Sequence, residues 1–193
     1  RLVKDRLATE RRPRLDGTEW SNDLGVVSAG GDGAWRDGTM VVSISTRREE
    51  PHVDGEVRLR LVIEDEATTG SVSAVARYIG PGDTRMIAGL ARLEGGQLVL
   101  GLYESRVLDE GGDAVWIERG HHLYPLAMGE TSFEVGLRVQ GPMATIFLDG
   151  EPVIDGQLMD IVHPGHFGIR FVGDGIAVRE LSVSSDGTAP RSG

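Results

Sequence analysis

Apolar and polar residues alternate over short segments along most of the chain, and a two-residue period predicts β-strands. In residues 55–63, Val57, Leu59 and Leu61 fall on one face and Arg58 falls on the other. We therefore expect this segment to form a strand with one buried side. Similar alternation, or a short apolar run, predicts further strands at residues 39–46, 71–79, 85–93, 97–104, 131–139, 143–148, 151–154, 165–172 and 176–184.

Glycine-rich turns separate these segments. The turns include Gly-Pro-Gly-Asp at 80–83, Glu-Gly-Gly at 94–96 and Asp-Gly at 149–150. An Asp-Gly pair supplies the positive φ angles that a two-residue hairpin turn requires. Because the turns recur about every eight to twelve residues, we expect roughly ten to thirteen strands in an antiparallel, two-sheet β-sandwich.

The pattern divides the chain into three parts. Residues 1–19 have weak helical spacing and are expected to form an N-terminal arm or a short helix, residues 20–184 the β-sandwich domain, and residues 185–193 a polar tail. The segment 109–128 interrupts the strand rhythm with a charged turn, a tryptophan and two adjacent histidines. It is interpreted either as a long hairpin or as a loop that lies against one face of the sandwich.

Composition and charge exclude several classes of function. The chain has 20 lysines and arginines against 30 aspartates and glutamates, a net charge of −10 that disfavours nucleic acid and anionic membrane surfaces as partners. It has no cysteine, which excludes disulfides, thiolate metal sites and cysteine nucleophiles. No run of about 18 or more apolar residues is present, so membrane insertion is not expected.

The order of several motifs resembles the concanavalin A-like lectin/glucanase jelly-roll superfamily, in particular its laminin-G-like and 3-keto-glucoside-hydrolase-like domains. The resemblance covers about residues 20–184 and implies an all-β, two-sheet antiparallel jelly-roll fold. The motifs are Gly-x-Trp-x-x-Gly at 33–38, Ala-Arg-Tyr at 76–78, Asp-Gly at 149–150, Gly-Ile at 168–169 and Val-x-x-Leu-x-Val at 178–183.

Catalytic carboxylates are not evident in the sequence. Sandwich glucanases of the superfamily carry Glu-x-Asp-x-x-Glu on one strand, where the alternation places all three side chains on one face. This chain has no such string. Its acidic clusters at 64–66 and 109–110 are consecutive residues that point to opposite faces, and they are interpreted as solvated turns. The pattern therefore favours a protein without hydrolase activity.

Sugar binding needs an aromatic ring together with planar hydrogen-bonding side chains. The resemblance implies a ligand on the concave sheet and places the Arg77 strand there. Only Arg77 matches a family position; the other candidates are chosen by residue type. Structural roles remain as alternatives: Trp116 as a plug at the core edge, and Arg77 as a partner of Glu104. The candidate ligand-binding residues are Arg77, Arg85, Glu104, Trp116, His121 and Tyr124.

Calcium is the cofactor that the resemblance brings into consideration, as a structural ion held by carboxylate and backbone oxygens. Asp32, near the first predicted strands, and Asp174, near the last, are the candidate ligands. Ordinary turn positions are the alternative interpretation of both aspartates.

The resemblance and the composition together predict a non-catalytic module that binds an oligosaccharide or polysaccharide, or that serves in adhesion. Because the sequence begins at Arg1, we expect a mature form or part of a larger exported bacterial protein, outside the cell or in the envelope, although a cytoplasmic location stays open. One alternative is a glycoside hydrolase or polysaccharide lyase with Glu104 or His121 as general acid or base and Arg77 holding the substrate. Another is a protein–protein interaction domain.

Overall fold

The computed structural model describes residues 2–6, 20–29, 32, 34–37, 41–108 and 112–184. These residues form fifteen β-strands and no helix. The strands are β1 (Leu2–Arg6), β2 (Trp20–Leu24), β3 (Val27–Ala29), β4 (Trp35–Asp37), β5 (Val42–Arg47), β6 (Gly55–Ile63), β7 (Ser71–Tyr78), β8 (Met86–Glu94), β9 (Gln97–Val107), β10 (Ala114–Pro125), β11 (Ser132–Gln140), β12 (Met143–Leu148), β13 (Glu151–Gln157), β14 (His166–Val172) and β15 (Ile176–Ser184).

Two antiparallel sheets contain all of these strands. The first sheet has the order β13-β12-β11-β6-β15-β4-β3, with β1 also paired to β15. The second sheet has the order β10-β9-β8-β7-β14-β5-β2. The predicted all-β, antiparallel two-sheet sandwich is therefore confirmed. Among the described residues, no helix is long and apolar enough to span a membrane.

The hydrophobic core lies between the two sheets. In β6, Leu59 and Leu61 point inward and are 1% exposed, as the alternation predicted. They belong to the same buried cluster as Ile87 of β8, Leu102 of β9 and Phe167 of β14, which come from the second sheet. The two sheets thus contribute their facing apolar sides to one shared core.

Segment 109–128 follows the hairpin alternative. Strand β10 pairs antiparallel with β9 from Ala114 opposite Val107 to Pro125 opposite Gln97, and it forms one edge of the second sheet. Within the segment 1–19, residues 2–6 form β1 beside β15. The other residues of that segment, the acidic pair 109–110 and the polar tail 185–193 lie outside the described residues.

Gly165 permits a close approach of two backbones near the start of β14. A Cβ atom added at Gly165 would overlap the backbone carbonyl of Arg77 on the neighbouring strand. Backbone atoms cannot move aside as a flexible side chain can, so the strands would have to separate. We expect Gly165→Ala to lower the free energy of unfolding by about 2 kcal/mol, measured by urea denaturation.

Gly136 of β11 provides a matched control for that substitution. A Cβ at Gly136 would meet its nearest neighbour, Cβ of Phe147, at 3.4 Å, close to an ordinary van der Waals contact. Gly136→Ala should therefore change the free energy of unfolding by less than about 1 kcal/mol. Equal stability of the two variants would contradict a tight contact at Gly165.

Candidate functional site

The outer face of the second sheet carries a small apolar cluster of its own. Ile44, Val75, Tyr78 and Met86 are buried there, separately from the main core, and Trp116 packs against them. Burial on a sheet's outer face requires a cover. The loop 79–85 between β7 and β8 contributes it, because the Tyr78 hydroxyl donates a hydrogen bond to the carbonyl oxygen of Gly82 at 2.7 Å.

A ridge of three side chains crosses this face. Arg170 of β14 donates from Nε and Nη2 to the two carboxylate oxygens of Asp83 in the loop, each at 2.7 Å. The Arg170 guanidinium carbon also lies 4.6 Å from the ring centroid of Trp116. We call Asp83, Trp116 and Arg170 the ridge. A bidentate ion pair stacked on an indole is a rigid arrangement.

The ridge also shows the curvature of the sheet. Trp116 lies on β10 and Arg170 on β14, and β9, β8 and β7 separate these strands. Four strand spacings span about 19 Å in a flat sheet, more than the two side chains together can reach. The outer face of the second sheet is therefore concave.

Tyr103 forms an aromatic surface beside the ridge. Its ring lies over Gly101, two residues earlier on the same face, where an added Cβ would come 3.0 Å from Cζ of the tyrosine. The ring meets Trp116 edge-on, with centroids 6.1 Å apart and an interplanar angle of 69°. We call Tyr103 and Trp116 the aromatic platform. Glycine at position 101 is what allows the tyrosine ring to lie along the strand.

Planar polar groups border the platform. Glu118 of β10 pairs opposite Tyr103 and accepts a long hydrogen bond of 3.5 Å from its hydroxyl. His121 pairs opposite Gly101 and is 63% exposed, with Nδ1 4.0 Å from the Glu118 carboxylate. Burial, followed by the negative charge of Glu118, raises the pKa of Tyr103, so its hydroxyl remains a hydrogen-bond donor at neutral pH.

Of the six predicted ligand-binding residues, the structure brings only two together, one in this platform and one at its border. These are Trp116 and His121 of β10. Arg85 lies at the end of the loop 79–85, where it donates to the carbonyl oxygen of Gly80 at 3.0 Å.

Tyr124 lies apart from the platform and packs against the main core. Its ring meets Phe133 edge-on, with centroids 6.0 Å apart. Its hydroxyl donates to Glu130 at 3.1 Å, and this hydrogen bond raises the pKa of the tyrosine. Tyr124 therefore does not join Trp116 in a single site.

Arg77 requires a correction, because its side chain is fully buried instead of facing a ligand. Nε, Nη1 and Nη2 donate to the carbonyl oxygens of Val53, Ile161 and Gly141 at 2.7, 2.9 and 2.7 Å. Burial lowers the pKa of Arg77, while the nearby carboxylates of Asp54 and Glu104 act in the opposite direction. Arg77 thus joins three loops from inside the fold.

Glu104 requires the same correction. Its buried carboxylate accepts hydrogen bonds from the backbone N–H groups of Met159, Asp160 and Ile161 at 2.9, 2.8 and 2.6 Å, and from Nε of Arg119 at 2.7 Å. Burial alone would raise the pKa of Glu104, but these hydrogen bonds outweigh it and the pKa is lowered. A buried carboxylate held in its charged form by four donors is unsuited to act as a general acid.

The two candidate calcium ligands lie in different surroundings. Both carboxylate oxygens of Asp32 accept hydrogen bonds from Arg36, and these bonds lower its pKa. Asp174 lies in the turn before β15, where its backbone carbonyl accepts the hydroxyl of Thr68. Within the part of the chain that the structure describes, no three acidic or histidine side chains are placed to hold a metal ion. Calcium binding stays an untested prediction.

Sequence reasoning missed Tyr103 of the platform and Glu118 at its border. A signal for Tyr103 was present, since Gly101 and Tyr103 alternate with Leu100 and Leu102 and so share the face opposite the core. Glu118 could not be found in this way, because its position opposite Tyr103 depends on how β10 pairs with β9.

Comparison with known proteins identifies the fold. No protein-family model matches the sequence, and no curated protein matches it. Several solved structures are similar. The carbohydrate-binding module CBM66 from Bacillus subtilis has 18% sequence identity and a TM-score of 0.60, and the match covers 83% of this chain and 91% of that chain.

Two further structures match over nearly the whole length of this chain. The carbohydrate recognition domain of Emp46p, in its metal-free form, has 10% identity and a TM-score of 0.62, with 93% of this chain and 94% of that chain covered. A Bacteroides ovatus mixed-linkage glucan GH16 protein has 10% identity and a TM-score of 0.58, with 94% and 99% covered. These similarities confirm the concanavalin A-like jelly-roll fold.

Proposed function

We propose that this domain binds carbohydrate on the concave face of its second sheet, without hydrolysing it. The aromatic platform carries this proposal. A sugar ring has an apolar face of C–H groups that packs on an aromatic ring, while its hydroxyls need planar hydrogen-bonding partners at the edge. Tyr103 offers the ring, and Glu118 and His121 offer the partners beside it.

The solved structures of similar fold support this assignment. They include one protein named as a carbohydrate-binding module and another named as a carbohydrate recognition domain. A polysaccharide ligand would place the domain outside the cell or in its envelope, as a binding or adhesion module.

The acidic side chains near the platform favour binding over hydrolysis. Asp83 uses both carboxylate oxygens to hold Arg170, and Glu104 is buried with four donors. A retaining glycosidase needs two accessible carboxyl groups about 5 Å apart. Glu118, which is exposed, therefore serves in this proposal as a hydrogen-bond acceptor for sugar hydroxyls.

The test is the loss of binding when the aromatic ring is removed. A glycan array and a panel of polysaccharides would first identify a ligand for the unaltered protein. We then expect Tyr103→Ala to raise the dissociation constant by about tenfold or more, equivalent to about 1.4 kcal/mol, in isothermal titration calorimetry. Tyr103→Phe should retain most of the affinity because the ring is kept.

Phe147→Ala is the matched control for the loss of an aromatic ring. Phe147 lies in β12, and its half-buried ring is on the first sheet, where it stacks with Arg138 at 4.7 Å. This variant should bind as the unaltered protein does. The proposal fails if no polysaccharide binds, or if Tyr103→Ala and Phe147→Ala bind equally well.

A further inference from the structure

A polar cleft opens near the edge of the second sheet where β2 pairs with β5. Its volume is about 460 Å³. Thr46 lies two residues after Ile44 in β5, so the two side chains share the concave outer face. The cleft is distinct from the aromatic platform, which lies on β9 and β10 at the opposite side of the sheet. Its lining includes Ser21, Asp23, Thr46, Arg48 and His166.

Arg48 is anchored by one nitrogen and open at the others. Its Nε donates a hydrogen bond to the backbone carbonyl oxygen of Trp20 at 2.9 Å. The side chain is exposed, and none of the described residues pairs with Nη1 or Nη2. A guanidinium fixed in this way loses little conformational freedom when the N–H groups of its two remaining nitrogens bind a ligand.

Asp23 is anchored in the same manner. The register of β2 against β5 shifts between Asn22 and Leu24, which places Asp23 outside the regular ladder. Its Oδ2 accepts a hydrogen bond from the Thr46 hydroxyl at 2.6 Å. Oδ1 has no partner within the described part of the chain. Asp23 also forms no ion pair within 4.0 Å with a described arginine. Its carboxylate and the Arg48 guanidinium therefore line the cleft without pairing with each other.

We propose that this cleft binds two adjacent hydroxyl groups of a neutral sugar residue. A hydroxyl both donates and accepts, so a vicinal pair can donate to Oδ1 of Asp23 and accept from the Nη atoms of Arg48. Among the described residues of the lining, two carboxylates (Asp23, Glu49) and two guanidiniums (Arg47, Arg48) cancel in charge, which suits a ligand without charge. This inference rests on the proposed carbohydrate-binding function and adds a second subsite to it.

The test follows the backbone amides of both sites by NMR while sugars are added. The probes are glucose, galactose, mannose and fructose, together with glycine as a small zwitterion and an oligosaccharide of the polysaccharide that the protein binds. We expect saturable shifts at Asp23, Thr46 and Arg48 with at least one monosaccharide. Asp23→Asn and Arg48→Gln should each raise the dissociation constant at the cleft by at least about tenfold.

Arg58→Gln is the matched control, because it removes a half-exposed arginine from the outer face of the first sheet. This variant and Tyr103→Ala should leave the cleft shifts unchanged. The spectra also report whether each variant is folded.

The outcomes separate this inference from the proposed function. Cleft shifts that survive Tyr103→Ala but not Arg48→Gln support a second subsite. Shifts at Gly101 and Tyr103 alone overturn the cleft as a sugar site and leave the platform intact. Shifts of the cleft with glycine but with no sugar also overturn it. An absence of shifts at both sites, with every sugar, overturns this inference and the proposed function together.

Discussion

Arg77→Ala is expected to lower the free energy of unfolding by about 3 to 5 kcal/mol. The guanidinium is fully buried and donates to the carbonyl oxygens of Val53, Gly141 and Ile161. Alanine would leave these three acceptors without a partner inside the fold and would open a cavity. Arg77 has a φ of 54°, and this backbone conformation is equally strained for alanine. The loss of stability would therefore come from the side chain.

Urea denaturation and thermal unfolding can measure this loss. For a domain of this size, the expected drop in Tm is roughly 6 to 20 °C. Arg58→Ala is the control, since Arg58 has a side chain that is 51% exposed and, within the described part of the chain, a single ion pair with Glu56. It should cost no more than about 1 kcal/mol. An Arg77→Ala protein as stable as Arg58→Ala would show that the three hydrogen bonds contribute little.

The alternation of apolar residues predicted ten of the fifteen described strands, β5 to β9 and β11 to β15, because burial on one face produces a two-residue period in the sequence. The segment 55–63 became β6 with the same limits, and the predicted turns at 94–96 and 149–150 connect paired strands. The alternation does not show how far a strand end twists or where the register of two paired strands shifts.

Arg77 illustrates this limit. Simple alternation places Arg77 and Tyr78 on opposite faces of the strand. The positive φ at Arg77 and a register shift of β14 between His166 and Gly168 break the alternation, and both side chains are buried. The family resemblance indicated a ligand contact at Arg77, whereas the local backbone directs its side chain to three carbonyl groups.

The candidate site shows a similar division. Trp116 and His121 were chosen by residue type; Trp116 belongs to the aromatic platform, and His121 lies at its border. Glu104 was chosen for the same reason. It follows Leu100 and Leu102 at two-residue spacing, however, and this spacing places it on the core side with them. For Glu104 the two-residue period, and not the residue type, therefore indicated the face of the strand on which the side chain lies.

Glu104→Gln is expected to lower the free energy of unfolding at pH 7 by about 3 kcal/mol. The carboxylate accepts the N–H groups of residues 159–161 and Nε of Arg119, and an amide presents two donors where one acceptor oxygen stood. Loop 158–165 joins the two sheets between β13 and β14. Loss of the carboxylate should therefore destabilise this loop, which Arg77 also holds through its hydrogen bond to the carbonyl oxygen of Ile161.

The pH dependence of this effect follows from the lowered pKa of Glu104. A carboxyl group whose pKa is lower in the folded state than its ordinary value of 4.5 stabilises the fold above that value. Its contribution is lost as the pH falls below 4.5 through the lower folded-state pKa. The stability difference between the unaltered protein and Glu104→Gln, measured by urea denaturation from pH 7 to pH 3, should shrink in that window.

Glu94→Gln is the control for the change in charge. Glu94 is exposed at the end of β8 and pairs with Arg92 at 2.6 Å. Solvent screens such a pair, so its substitution should change the free energy of unfolding by less than about 1 kcal/mol at any pH in the series. If the deficit of Glu104→Gln stayed constant down to pH 3, the four hydrogen bonds would not be holding the charged form of Glu104.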